Sequence, residues 1–401
     1  MILNMFKKRR VYLDFAAASP LSPEAKAAMR PYSDGSFANP SAIHNEGQKA
    51  RAAVNSARDS VARALHVRPE FITFTSGGTE SNNLAIIGYV EFLHRQGRSY
   101  DSMEVLTTKI EHPSVTNAVS ELERRGVRVV HIPVTETGAV SIPELSKIIS
   151  PATVLCTVAY INSEIGTIQP LHALKKSLRE GEKKFNTTIA LHLDAAQAPF
   201  WVSCQFDSLG ADIVSLDMGK CGGPKGIGVL IRSRRATVAP VLFGGNQEDG
   251  LRPGTENVMG IVGGAAALAA AQSAHKLLSK KVSDVRDAGI KILTAIEGVT
   301  LNGTVGDERV ANNINISISG IDTEFLAIVL DKHGFAVSTK SACSGAGGGA
   351  STVVLETTKD AARAKSTLRL TLGPGNTVKE LETVARIIAV HQKMMSQLTQ
   401  K

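Results

Sequence analysis

An alternation running through residues 71–232 constrains the fold most strongly. Short runs of apolar and β-branched residues (Phe71 to Thr75, Met103 to Thr107, Val127 to Pro133, Thr153 to Tyr160, Ile189 to Leu193, Ile213 to Leu216 and Gly228 to Arg232) are separated by amphipathic stretches of helical period. Strands that alternate with helices rejoin one sheet through crossovers, so the pattern predicts an α/β fold on a mainly parallel sheet. His112, Asn162, Asp194 and Lys220 stand at or just beyond the carboxyl ends of these runs. Open α/β sheets bind their ligands there.

Asp194 closes the strand of His192-Leu193-Asp194-Ala195-Ala196-Gln197, and Lys220 follows in Asp217-Met218-Gly219-Lys220-Cys221-Gly222-Gly223-Pro224-Lys225-Gly226. A strand-end acid followed by a lysine among glycines is the pair a pyridoxal phosphate (PLP) enzyme needs. The lysine forms a Schiff base with the cofactor aldehyde, and the carboxylate keeps the pyridine nitrogen protonated so that the ring accepts electrons. Ser76-Gly77-Gly78-Thr79-Glu80 reads as a turn opening a helix, where backbone N–H groups and the Thr79 hydroxyl would make a phosphate site. Singly, such an acid caps the next helix and such a turn is a plain connection. Together they point to one site.

Further segments complete the pattern: Lys109-Ile110-Glu111-His112-Pro113-Ser114-Val115, Asn162-Ser163-Glu164-Ile165-Gly166-Thr167-Ile168-Gln169-Pro170, Gly250-Leu251-Arg252-Pro253-Gly254-Thr255-Glu256-Asn257 and Ser341-Ala342-Cys343-Ser344-Gly345. In this order the chain resembles the cysteine desulfurase family, PLP enzymes of aminotransferase-like fold (fold type I) that move sulfur from L-cysteine to a protein cysteine. The resemblance extends from Tyr12-Leu13-Asp14 to Leu368-Arg369-Leu370-Thr371-Leu372-Gly373. It implies a large PLP-binding domain, residues 19–271. A smaller α+β domain, residues 1–18 and 272–401, would carry a catalytic cysteine on an extended loop at 338–358.

By the same resemblance, Lys220 would hold the cofactor and shuttle the Cα proton, with Asp194 on the ring nitrogen. Gln197 and Asn162 would reach the phenolic oxygen, His112 would stack on the ring and help transfer protons, and Gly78 and Thr79 would bind phosphate. Thr255 would reach the phosphate across a dimer interface, making a homodimer part of the site. Arg369, with Asn162, would hold the substrate carboxylate, a task suited to a bidentate guanidinium. Cys343 would attack the substrate sulfur and carry a persulfide to an acceptor protein, an iron–sulfur scaffold or a thiolation carrier.

Two departures stand out. Family members usually carry Ser or Thr three residues before the lysine and His immediately before it, both donating to the phosphate; this chain has Asp217 and Gly219. Either Asp217 repels the phosphate or it turns away. Phe15 stands where the family usually has Asn. These changes keep two rivals open: a desulfurase-like binding or assembly protein without catalysis, and a related PLP lyase such as a selenocysteine lyase.

The chain of 401 residues, 43% hydrophobic, can bury a sizeable core. No apolar run reaches the ~18 residues of a membrane span. In Met1 to Arg10 the charges follow the apolar residues, opposite to a secretory signal, so a cytoplasmic protein is expected. The net charge of +8 is scattered over small clusters without interleaved aromatics, which argues against a nucleic-acid groove and for an acidic protein partner. Cys156, Cys204, Cys221 and Cys343 form no Cys-x-x-Cys pair and have no zinc-type His spacing, so neither a metal nor a disulfide framework is expected.

Overall fold

The computed structural model describes residues 10–35, 37–339 and 349–399. In chain order the first half contains β1 (Val11–Tyr12), α1 (Pro23–Asp34), α2 (Asn45–Leu65), β2 (Ile72–Thr75), α3 (Gly78–Arg95), β3 (Glu104–Thr107), α4 (Pro113–Arg124), β4 (Arg128–His131), α5 (Ile142–Ile148), β5 (Thr153–Ala159), α6 (Leu171–Phe185) and β6 (Ala190–Asp194). The second half contains α7 (Phe206–Leu209), β7 (Ile213–Asp217), β8 (Gly228–Arg232), α8 (Val258–Thr294), β9 (Val299–Leu301), β10 (Asn313–Ile318), α9 (Thr323–Lys332), β11 (Phe335–Ala336), α10 (Thr352–Thr358), α11 (Ala361–Lys365), β12 (Thr367–Thr371) and α12 (Val378–Thr399).

The central sheet has seven strands in the order β2-β8-β7-β6-β5-β3-β4. β3 through β7 run parallel to one another, whereas β8 is antiparallel to both β7 and β2. Every residue of β5 and of β6 is buried, as expected for strands covered on both faces. The β7–β8 connection is a return rather than a crossover. It keeps the turn Met218–Lys220 at the sheet's carboxyl edge.

A three-stranded antiparallel sheet, β12-β10-β9, forms a second layer, and β1 pairs in parallel with β11. α8 joins the two regions without a break at residue 271. Its glycines allow close approach: a Cβ on Gly263 would meet Met29 of α1, and one on Gly289 would meet Leu381 of α12 and Ile314 of β10. By length and composition α8 could cross a membrane, yet more than half of its most apolar window is packed inside the fold. Helix α10 begins at Thr352, inside the span 338–358 read as loop, because the Ser351 hydroxyl caps it by accepting the Val354 N–H at 3.0 Å.

Candidate active site

Four neighbouring strand ends and the start of α3 face one cavity. Its lining contains Gly78, Thr79, His112, Asn162, Asp194, Gln197, Asp217 and Lys220, so seven of the sequence-predicted positions meet there. Gly77 sets the entry to α3 with φ of 147°, a conformation open to glycine. Asp194 ends β6: its Oδ1 accepts the Ala196 N–H at 3.0 Å and its Oδ2 an amide hydrogen of Asn82 at 2.9 Å. His112 caps α4, its Nδ1 accepting the Ser114 N–H at 3.1 Å and lying 2.8 Å from Ser114 Oγ.

Asn162 is fixed from three sides. Its Oδ1 accepts the N–H groups of Glu164 and Ile165, and its amide donates to Ile110 O at 2.9 Å. One amide hydrogen is not used by these bonds. Gln197 likewise donates to Ala16 O at 2.9 Å, which ties the N-terminal segment to the cavity wall.

Burial and then the Lys220 charge pull the His112 imidazole below its ordinary range, against the opposing pull of Asp194 and Asp217. Beneath the cavity, burial pushes the Glu111 carboxyl up to about 8, and the nearby Asp194 charge adds to the rise. Thr108 Oγ1 lies 2.6 Å from one Glu111 oxygen and the Ala159 N–H donates to the other at 2.7 Å. Burial also raises the Cys156, Cys204 and Cys221 thiols, so none of the three is poised as a thiolate.

Arg369 is not part of the cavity lining. Its strand is buried throughout, because β12 pairs with β10 on one side and bridges Asp14 on the other. The guanidinium donates to Asp14 Oδ1 at 2.9 Å and to the carbonyl of Ser163, a lining residue, at 3.1 Å; its buried Nε has no partner among the described residues. Thr255 is exposed on this chain and lies outside the lining. Cys343 lies outside the described residues.

Asp217 does not turn away. Its Oδ1 accepts the Gly219 N–H at 2.9 Å, and a Cβ placed on Gly78 would lie 3.5 Å from Oδ2. Phe15 is accommodated by the absence of a side chain at Gly373, where a Cβ would fall 2.0 Å from the ring.

Three residues that order the site were not singled out from the sequence: Asn82, Ser114 and Glu111. Glu111 and Ser114 sit within the motif around His112 and Asn82 lies just beyond the one around Gly78, but only tertiary structure shows what they touch. A groove of about 910 Å³ between α9 and α12 is lined mainly by apolar residues such as Phe325, Val329, Ile387 and Val390, and none of the strand-end residues reaches it.

The aminotransferase class-V family matches residues 11–384. Among curated relatives, the cysteine desulfurase IscS of Dictyoglomus turgidum is 36% identical over 375 residues, 93% of this chain and 92% of its own. The cysteine desulfurase IscS 1 of Archaeoglobus fulgidus is 34% identical over 377 residues, covering 94% and 95%. Among solved structures, a NifS-like protein superposes with a TM-score of 0.87 at 28% identity, over 96% of this chain and all of that one. A structure described as SspA in complex with cysteine gives 0.75 at 30% identity over 90% and 99%. The chain therefore belongs to the class-V aminotransferases, a family of PLP enzymes.

The residues present fit that cofactor at its ring end. A lysine, a carboxylate held by two donors, an imidazole, and two amides each with a hydrogen to spare line one narrow cavity. At the other end, the N-terminus of α3 offers backbone donors, with Asp217 beside them.

Proposed function

We propose that the protein is a PLP-dependent cysteine desulfurase, converting L-cysteine to L-alanine while Cys343 receives the sulfur and passes it to an acceptor protein. The convergence of Lys220, Asp194, His112, Asn162 and Gln197 on one cavity carries this reading, and the desulfurase relatives support it. When bound, PLP supplies an electron sink for the substrate Cα.

The protein's own groups would do the rest. Lys220 would hold the cofactor and move a proton to and from the substrate Cα. Asp194 would keep the ring nitrogen protonated, Asn162 and Gln197 would donate their spare hydrogens to the phenolic oxygen, and His112 would cover the ring face. Gly78 and Thr79 would hold the phosphate, joined in a homodimer by Thr255 of the second copy. Arg369 and Asn162 would receive the substrate carboxylate, for which Arg369 must share or release Asp14. The Cys343 thiolate would attack the substrate sulfur; the Cβ–S bond breaks with its electron pair left on carbon, and proton uptake there gives alanine. An iron–sulfur scaffold or a thiolation carrier is the acceptor we assign, and buried unpaired thiols at Cys156, Cys204 and Cys221 support work in the reducing cytoplasm.

Mass spectrometry after exposure to L-cysteine should show one added sulfur on the peptide containing Cys343. Cys343→Ala should still load PLP yet lose persulfide and nearly all alanine release. Full alanine release by that variant would replace the desulfurase reading with a simple lyase. The position of Asp217 favours a second reading, an assembly protein with weak cofactor binding, which predicts purified protein without the cofactor's visible absorbance.

A further inference from the structure

The geometry points to Asn82 and Ser114 as positioning residues that couple Asp194 to His112 and present His112 as a neutral imidazole with its proton on Nε2. The proposal deepens the cofactor reading and rests on it for its purpose, but its geometry is made of protein groups alone.

Asn82, on the second turn of α3, and Ser114, on the first turn of α4, are both buried. The Asn82 amide donates to Asp194 Oδ2 at 2.9 Å and to Ser114 Oγ at 2.8 Å. Both receivers take hydrogen there, so the NH₂ must face them; a flipped amide would set its oxygen against a carboxylate. That orientation leaves Asn82 Oδ1 buried without a partner among the described residues. An unanswered carbonyl is costly to bury, so the two N–H bonds outweigh it.

With its oxygen accepting from Asn82, Ser114 Oγ has its own hydrogen left for His112 Nδ1, 2.8 Å away. The Ser114 backbone N–H, which can only donate, also addresses Nδ1, at 3.1 Å. Two donors converge on Nδ1, so that nitrogen is the acceptor and the neutral ring carries its proton on Nε2. Hydrogen bonds in series strengthen one another, and this series runs from the Asn82 amide, which also binds Asp194, to the imidazole. Among the described residues, the charged groups that bear on His112 are Lys220, Asp194 and Asp217, and burial, joined by the Lys220 charge, favours the neutral form.

The test follows the histidine ring nitrogens by NMR in full-length protein carrying ¹⁵N-histidine, with and without PLP, while the cofactor's visible absorbance is titrated against pH. Wild-type His112 should show a non-protonated Nδ1 and a protonated Nε2. Ser114→Ala should raise the His112 midpoint by about half to one pH unit, a roughly three- to tenfold gain in proton affinity, and leave the cofactor band in place. Ser114→Thr, which keeps the hydroxyl, should restore the midpoint. Asn82→Ala should move both the His112 midpoint and the pH response of the band, because Asp194 loses a donor.

Unmoved His112 midpoints in both alanine variants would reduce the two residues to packing and overturn the proposal. A proton on Nδ1 in wild type would do the same, and that measurement needs no variant to fold. If the chain binds no PLP, the cofactor reading fails while the imidazole result in the same samples still decides this one.

Discussion

The two ends of the cavity are built on different terms. At the end assigned to the cofactor ring, the three groups expected to meet it are already held: Asp194 by Ala196 and Asn82, Asn162 by Glu164, Ile165 and Ile110, Gln197 by Ala16. At the end assigned to the phosphate, Gly219 brings no side chain, and Asp217 brings a carboxylate to the N-terminus of α3, where an anion is expected to bind. The ring end is pre-organised by this chain alone. On the proposed reading, the phosphate end would depend on main-chain donors and on what Thr255 of a second copy would add.

The largest effect expected from this contrast is at Lys220. Lys220→Ala should abolish the pyridoxyl label fixed by borohydride and slow alanine formation by ~10²–10⁴-fold, the usual worth of a positioned proton-transfer group. Lys225→Ala should keep the label on Lys220, since Lys225 is spent on the carbonyl of Ser19. A label found on Lys225 in wild type would break the assignment of the ring end altogether.

A smaller effect sharpens the phosphate end. Charge-assisted hydrogen bonds are worth about 1.5–3 kcal/mol each. Asp217→Ser combined with Gly219→His restores two such bonds and should therefore tighten PLP binding by roughly 100-fold or more in an equilibrium absorbance titration. The substitutions belong together: a Cβ on Gly219 would lie 3.2 Å from Asp217 Oδ1, so a histidine fits best once that carboxylate is gone. Asp217→Asn alone should tighten binding less, and its advantage should shrink as salt screens the phosphate–carboxylate repulsion. Affinity unchanged by the double substitution would mean that the first turn of α3 suffices, and the two ends would then be equally prepared.

Legibility from sequence follows the range of the interactions involved. The strands were legible because buried parallel strands are continuous apolar runs, and Asp194 and Lys220 because a strand end followed by a turn is a local signal. Asn82 was not, since its meaning lies in touching Asp194 and Ser114, residues remote in sequence. The burial of Arg369 was not legible, because alternation in β12 looks the same whether the second face meets water or, as here, more protein. The direction of Asp217 could not be chosen beforehand either. It depends on the Gly219 N–H being in reach, which is a property of the turn Met218–Lys220 rather than of composition.

The last prediction tests whether the ring end owes some of its order to a hidden proton. Burial raises the Glu111 carboxyl from an ordinary value of 4.5 to about 8. Because the folded value exceeds the unfolded one, the native state holds the proton more tightly, and stability must fall as pH rises through the window between 4.5 and about 8. The slope contributed by this one group is at most ~1.4 kcal/mol per pH unit. Glu111→Gln removes the titration and keeps the contacts: the amide oxygen can accept the Ala159 N–H, while the NH₂ donates to the Thr108 hydroxyl. Denaturant unfolding should thus show the variant near wild-type stability at the acid end of the window and progressively above it toward the alkaline end. A wild-type minus variant difference that does not change across the window would mean that Glu111 is ionised in the folded protein, with the Ala159 strand end held by a carboxylate instead of a carboxylic acid.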